Sequence, residues 1–206
     1  MKNKGCLIGG GILAAIIVLG LIIGGWFVSK YNSMVPMEEG VKAQWSNVEN
    51  TYQKRADLVD QLVGTVKGAA NFEKETLTNV IEARAKATST QLNMNDASEL
   101  TEENIARFQQ AQDQLGGALS RLMVSVERYP ELKANQNFLN LQASIESMEQ
   151  EVLFERKKYN TAAEGFNSHI KVFPNNFIAN FGGFKEKGYF KAAAGTENAP
   201  KVDFSN

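Results

Sequence analysis

The sequence predicts an all-α protein, with an N-terminal transmembrane helix followed by an antiparallel bundle of long helices. Three observations carry this. From Gly5 to Val28 the chain holds no charged residue. Beyond Val41, apolar residues recur at intervals of three and four, the spacing of one face of an α-helix. The seam from Phe138 to Phe173 keeps to that spacing for about ten turns, and a long apolar seam must lie against other long helices.

The 24 residues from Gly5 to Val28 extend about 36 Å as a helix, enough to cross a hydrocarbon layer of roughly 30 Å with some tilt. Trp26, Lys30 and Tyr31 fall where aromatic and long basic side chains meet headgroups. Lys2 and Lys4, in the short segment 1–4, also suit the start of a cleaved signal peptide. The apolar run exceeds the usual signal core of up to about 15 residues and no Ala-x-Ala closes it, so the helix is expected to remain as an anchor. Cys6 is the sole cysteine; it precedes the apolar run, whereas a lipoprotein cysteine follows one. Lys2 and Lys4 against Lys30 and Lys42 favour an N-terminus inside by a slight margin. Gly20 and Gly24 form a Gly-x-x-x-Gly pair, a weak signal for self-association of the span.

Setting Lys2 and Lys4 aside, 20 Lys and Arg face 23 Asp and Glu, with no basic run or face. Nucleic acid is therefore not an expected partner. About 178 residues follow the span, enough for one domain with a real core. That domain is expected over 31–194, with a polar, poorly ordered tail over 195–206.

Pro36 is expected to bend the chain or to open a first helical turn. Val41, Trp45, Val48, Tyr52, Val59, Leu62 and Val66 then mark a helix packed along most of its length. The stripe runs on less regularly through Ala70, Leu77, Val80, Ile81 and Ala85. Gly64 and Gly68 stand inside it, and close backbone packing is the expected reason, since glycine costs a helix about 1 kcal/mol. Residues 86–100 read as a turn or loop. Thr101 before Glu102 and Glu103 is the expected cap of a second helix carrying Ile105, Phe108, Leu115, Leu119, Leu122 and Val126. Gly116 and Gly117 mark a bend or a tight crossing in it. Pro130 ends that helix and starts a third, whose seam is Phe138, Leu141, Ile145, Met148, Val152, Tyr159, Phe166, Ile170 and Phe173. Pro174 stops the third. The stretch from Asn175 to Ala194, rich in Phe and Gly, is expected to pack its aromatics over one end of the bundle as a short helix or turns.

Polar residues interrupt these seams. Arg55 falls between Tyr52 and Val59 with Asp57 nearby, Arg156 falls between Val152 and Tyr159, and Asn160 is repeated one heptad on as Asn167. A core arginine must be paired or must snorkel, and Glu82 and Glu149 are the expected partners. Two readings follow: an interhelical network that fixes helix register, or a binding crevice lined by Arg55, Arg156 and the two asparagines. No nucleophile elbow, phosphate loop or dinucleotide fingerprint is present. His169 is the only histidine, too few for zinc or for the paired Glu-x-x-His motifs of carboxylate bundles in which Glu127 and Glu149 would serve. No cofactor and no catalytic residue is expected.

The chain resembles the LemA family of bacterial membrane proteins. The likeness runs from Tyr31-Asn32 through Trp45, Arg55, Asp57-Leu58, Leu62-Val63 and Thr65-Val66-Lys67-Gly68, then Ala83-Arg84, Leu119-Ser120, Glu127, Tyr129-Pro130, Leu132-Lys133-Ala134 and Phe138. It continues with Arg156, Tyr159-Asn160, Asn167, Ile170 and Phe173-Pro174 and ends near Gly183-Phe184. Phe166 and Glu155 stand where the family often has Tyr and Ala. The resemblance implies a membrane helix and a compact domain of long antiparallel helices, without an activity to carry over residue by residue. Some members are linked with magnetosome formation and some are encoded near membrane proteases. It also implies an N-terminus outside the cytoplasm, against the lysine bias. The expected function is that of a membrane-anchored interaction or scaffold protein. Its partners are the lipid bilayer through residues 5–28, other proteins and a second copy of itself. A ligand-binding or sensory module is the alternative.

Overall fold

The computed structural model describes residues 3–68, 72–91, 94 and 96–192. Ala70, part of the segment before the span and the tail expected over 195–206 lie outside them. Among the described residues six α-helices and one 3₁₀ turn follow in order: α1 (Asn3–Lys67), α2 (Lys74–Gln91), the turn Ala97–Glu99, α3 (Glu102–Val126), α4 (Pro130–Lys133), α5 (Gln136–Lys171) and α6 (Asn175–Gly182). No strand occurs among the described residues, and the helices pack as a bundle.

The first 65 residues after Lys2 form one helix, α1, about 98 Å long. The helix runs on through Pro36, so no fresh helical start lies there, the second of the two expectations. The proline lies on the exposed side of the helix, where the carbonyl of Asn32 that loses its amide partner turns to solvent. From Gly10 the apolar stretch is unburied: Ile12, Leu13, Ile16, Ile17, Leu19, Leu21 and Ile22 are 55–72% exposed. Among the described residues this is the one helix long and apolar enough to cross a membrane.

Three other element boundaries differ from the sequence reading. The amide of Gly68 bonds back to the carbonyl of Thr65 at 3.3 Å, α1 ends at Lys67, and the stripe expected to run on to Ala85 belongs to a separate helix, α2. Gly64 faces open space, so close packing does not explain it. Helix α2 then persists to Gln91, inside the expected loop. The expected third helix is two: Pro130 opens the single turn of α4, and Asn135 caps α5 by accepting the Phe138 amide at 3.2 Å. At α3 the Thr101 hydroxyl accepts the Asn104 amide at 3.2 Å, as its sequence suggested.

Cross-helix pairs give the directions. Ser33 meets His169 and Tyr52 meets Arg156, so α1 and α5 are antiparallel. Arg84 pairs with Asp60, which sets α2 beside the far end of α1. Trp45 touches Phe108, and Arg55 lies against Gly116 further along both chains, so α3 runs with α1. The result is an up-down-up-down bundle of α1, α2, α3 and α5. Its core has two parts. The distal part joins Val59, Leu62 and Val66 of α1 to Val80 of α2, Leu115, Leu119 and Leu122 of α3 and Ile145 of α5. The proximal part joins Met34, Val41, Trp45 and Tyr52 to Ile105, Phe108, Tyr159, Phe166 and Ile178. Helix α2, half the length of α5, supplies no residue to the proximal core. The chain beyond α6 closes that half instead.

Candidate functional site

Between the two apolar cores lies a polar layer. Arg55 is 4% exposed, and Thr51 and Gln112 beside it are equally buried. The Arg55 guanidinium holds the Glu149 carboxylate at 2.7 Å. Gly116 packs against it, a Cβ there standing in ordinary contact at 3.4 Å from the Arg55 Nη2. Arg156, about one turn nearer the N-terminal end of α1, donates from Nε to the Tyr52 hydroxyl at 2.7 Å. Its guanidinium carbon sits 4.9 Å from the centre of the Phe190 ring and 5.7 Å from that of Tyr52, a cation–π arrangement. Burial raises the Tyr52 pKa, and the two arginines pull part of that rise back. A shallow cavity of about 360 Å³ opens on this layer, bordered by Arg55, Gln112, Asp113, Glu149 and Arg156.

The two asparagines do something else. Asn167 accepts the Lys187 amide at 2.8 Å and donates to the Lys187 carbonyl at 2.8 Å. Asn160 does the same to Phe190, at 2.9 and 2.8 Å. Gln109 of α3 repeats the pattern on Lys191, at 3.1 and 2.8 Å. Three carboxamides thus clamp both backbone groups of three residues in one segment, 184–192. Seven residues of α5 separate the asparagines, about 10.5 Å, and three extended residues span about 10 Å, so the segment is a nearly straight strap antiparallel to α5.

Side chains of the strap complete the proximal core. Phe190 stacks on Trp45 and meets Tyr159 edge-on, with centroids 6.1 and 5.5 Å apart. Lys187 is 3% exposed. Its ammonium donates to the Glu38 carboxylate of α1 at 2.5 Å and to the Ala97 carbonyl at 3.1 Å, and it lies 5.1 Å from the centre of the Phe166 ring. Gly188 donates to the Leu100 carbonyl at 2.8 Å. Only a glycine fits there, because a Cβ would fall 2.6–2.7 Å from backbone atoms of Thr101 and Glu102.

Of the residues singled out from sequence, Arg55 and Glu149 come together with Arg156 beside them, while Asn160 and Asn167 form the strap clamps. Asp57 and Glu82 do not join. Asp57 accepts from Gln53 on its own helix, Glu82 is exposed, and the α2 ion pair uses Arg84 with Asp60. Glu155 turns to Lys158, 3.0 Å away, and not to Arg156. Glu127 pairs with Lys133, far along the chain from Glu149. Among the described residues no three His, Cys, Asp or Glu side chains converge as a metal site requires. Lys187, Glu38, Gln109 and Gly188 were missed. The heptad repeat of Asn160 and Asn167 on one seam was the available signal, since two amides on one face bind a single extended segment.

The sequence profile of the LemA family matches residues 44–204, from just before Trp45 through the strap. The chain belongs to the LemA family. It is 28% identical over 176 residues to magnetosome protein MamQ 2 of Paramagnetospirillum magneticum, covering 79% of this chain and 65% of that protein. It is 26% identical over 197 residues to magnetosome protein MamQ of Magnetospirillum gryphiswaldense, covering 87% and 71%. Protein LemA of Metamycoplasma hominis is 26% identical over 153 residues, covering 74% and 65%. The match spans just under two thirds of MamQ 2 and of the mycoplasma LemA. In this LemA-family chain, the aligned core is the part that holds both the polar layer and the clamped strap.

Proposed function

We propose that this chain is a single-pass protein of the bacterial cell membrane whose helical bundle presents a surface to protein partners at the bilayer. The observation that carries the reading is the continuity of α1, whose unburied apolar end leads without a joint into the helix that forms one side of both cores. A domain mounted this way is held at a fixed distance and angle from the bilayer, which serves assembly on a membrane. Engagement of Asn160, Asn167 and Glu149 within the chain supports a structural role for these polar residues. Proximity labelling and crosslinking in cells from an enzyme fused after the last residue test the reading and report which side the bundle faces. A reproducible small set of membrane neighbours is expected. Uniform labelling of bystanders, with the purified full chain strictly monomeric, refutes it.

The cavity beside the polar layer favours a second reading, a ligand-binding or sensory module. Arg55→Ala and Arg156→Ala separate the two. Loss of fold in both favours the structural network, and a folded protein that has lost a bound small molecule favours the sensor.

A further inference from the structure

Helix α6 carries an aromatic face that the bundle does not use. Its inner side buries Asn175, Ile178 and Ala179. Its outer side presents Phe177 and Phe181, 66% and 83% exposed, and Phe173 just before the helix continues that face at 79%. Phe177 and Phe181 stand one turn apart on α6, and Phe173 meets Phe177 edge-on with centroids 6.0 Å apart, so the three share one side. The helix contains no charged residue.

The position of this face on α1 is fixed by contacts at both ends of α6. At its end, the Phe181 ring meets Phe27 edge-on with centroids 5.6 Å apart, and Gly182 lies so close to Tyr31 that a Cβ would stand 2.8 Å from the ring. Phe27 belongs to the last turn of the uncharged stretch, so Phe181 stands at the depth where that stretch ends. At its start, Asn175 and Ser33 both approach His169, Ser33 at 3.1 Å and the Asn175 amide nitrogen at 3.0 Å from the His169 carbonyl. Phe27 and Ser33 are separated by about 9 Å of helix, a layer as deep as an interfacial helix occupies. Lys30 falls between Phe27 and Ser33 on α1, and Lys171, two residues after His169, pairs with Glu186 at 2.7 Å.

We propose that α6 is a membrane foot: Phe173, Phe177 and Phe181 enter the headgroup and upper acyl region of the bilayer beside the span. The occupant of the face is lipid because the face is continuous with the apolar surface of α1 and lies at its edge. Aromatic side chains partition into this boundary region. This rests on the reading that α1 crosses the membrane.

The test uses the full chain with Cys6→Ala, reconstituted into phosphatidylcholine vesicles and spin-labelled at single cysteines introduced as Phe177→Cys, Leu19→Cys and Val124→Cys. Val124 is 71% exposed on α3, in the distal half. Collision with oxygen, which concentrates in lipid, is compared with collision with an aqueous nickel chelate. The oxygen-to-nickel ratio at 177 is expected to lie several-fold above that at 124 and below that at 19. A lipid-like value at 19 with a water-like value at 177 overturns the foot and leaves the span. A water-like value at 19 overturns the span and the foot with it. A label at 177 shielded from both reagents assigns the face to protein and also overturns the proposal.

Discussion

Replacing Gly188 by alanine probes the strap at its tightest point. The added methyl would stand 2.6 Å from the Glu102 Cα, and 2.7 Å from the Glu102 nitrogen and the Thr101 carbonyl oxygen. All three are backbone atoms at the capped start of α3, so no rotamer relieves the clash and the strap must move by about 1 Å to reach ordinary contact distances of roughly 3.5–4.0 Å. A shift of that size breaks the 2.8 Å bond from Gly188 to Leu100 and strains the two bonds between Asn167 and Lys187. At about 1 kcal/mol net for each hydrogen bond, the expected loss is about 2–3 kcal/mol. Gly64→Ala is the internal control. Nothing lies near its Cβ and it sits inside α1, so that variant should gain up to about 1 kcal/mol. Urea unfolding of both in the same detergent gives the energies. Hydrogen exchange at the Lys187, Gly188 and Phe190 amides locates the damage. Equal midpoints for Gly188→Ala and the parent chain, with unchanged protection at those amides, refute the claim that the strap is a rigid part of the core.

Three other perturbations give distinct expectations. Glu38→Met leaves the buried Lys187 ammonium with only the Ala97 carbonyl and a ring face, and should cost about 3 kcal/mol; Lys187→Met should cost less, and the double variant should recover most of the Glu38→Met loss in a thermal unfolding cycle. The Tyr159 hydroxyl is buried without a hydrogen-bond partner among the described residues, so Tyr159→Phe should leave stability unchanged or raise it by about 1 kcal/mol, read from urea midpoints. Burial raises the pKa of both Tyr52 and Tyr159. Above the ordinary phenol value of about 10 the unfolded chain releases protons that the folded chain keeps, so their contribution is intact below that pH. It falls as pH rises, by up to about 1.4 kcal/mol per pH unit per phenol. Urea titrations at neutral and strongly alkaline pH should show this slope, and Tyr159→Phe should make it shallower.

Much of this fold was legible because apolar periodicity is a direct imprint of helix packing. Every seam residue named for α5 from Phe138 to Ile170 lies on the helix: Phe138, Ile145, Val152 and Tyr159 are buried a heptad apart, with Leu141 and Met148 half-buried between them, and Tyr159, Ala163, Phe166 and Ile170 follow by fours and threes. Thr101 was readable because a cap needs only a local side chain and the helix dipole beside it. What failed was local continuity. Pro36 lies on a solvent-facing side, where a missing amide is tolerated, and the break after Lys67 falls where a good helical stripe appears to run on. Propensity contains no account of which face meets water or where a neighbour ends. Arg55 and Glu149 could be paired from their seam positions, but Glu82 could not be told from Glu149, since both stand four or fewer residues from apolar stripe members. Lys187 left no trace at all: nothing in a Phe/Gly-rich stretch expected to pack its aromatics distinguishes a buried lysine from a solvated one until its partners Glu38 and Phe166 are in place.

The unbroken course of α1 also has a mechanical side. If its apolar end crosses a bilayer as proposed, the stretch from Val28 to Lys67 is an arm of about 58 Å, and tilting the span by about 10° would carry its tip sideways by about 10 Å. Bilayers of unequal thickness impose different tilts on one apolar length. The distal core around Leu62, Leu122 and Phe138 would therefore register membrane thickness as displacement, in the way a pointer amplifies the turn of its axle.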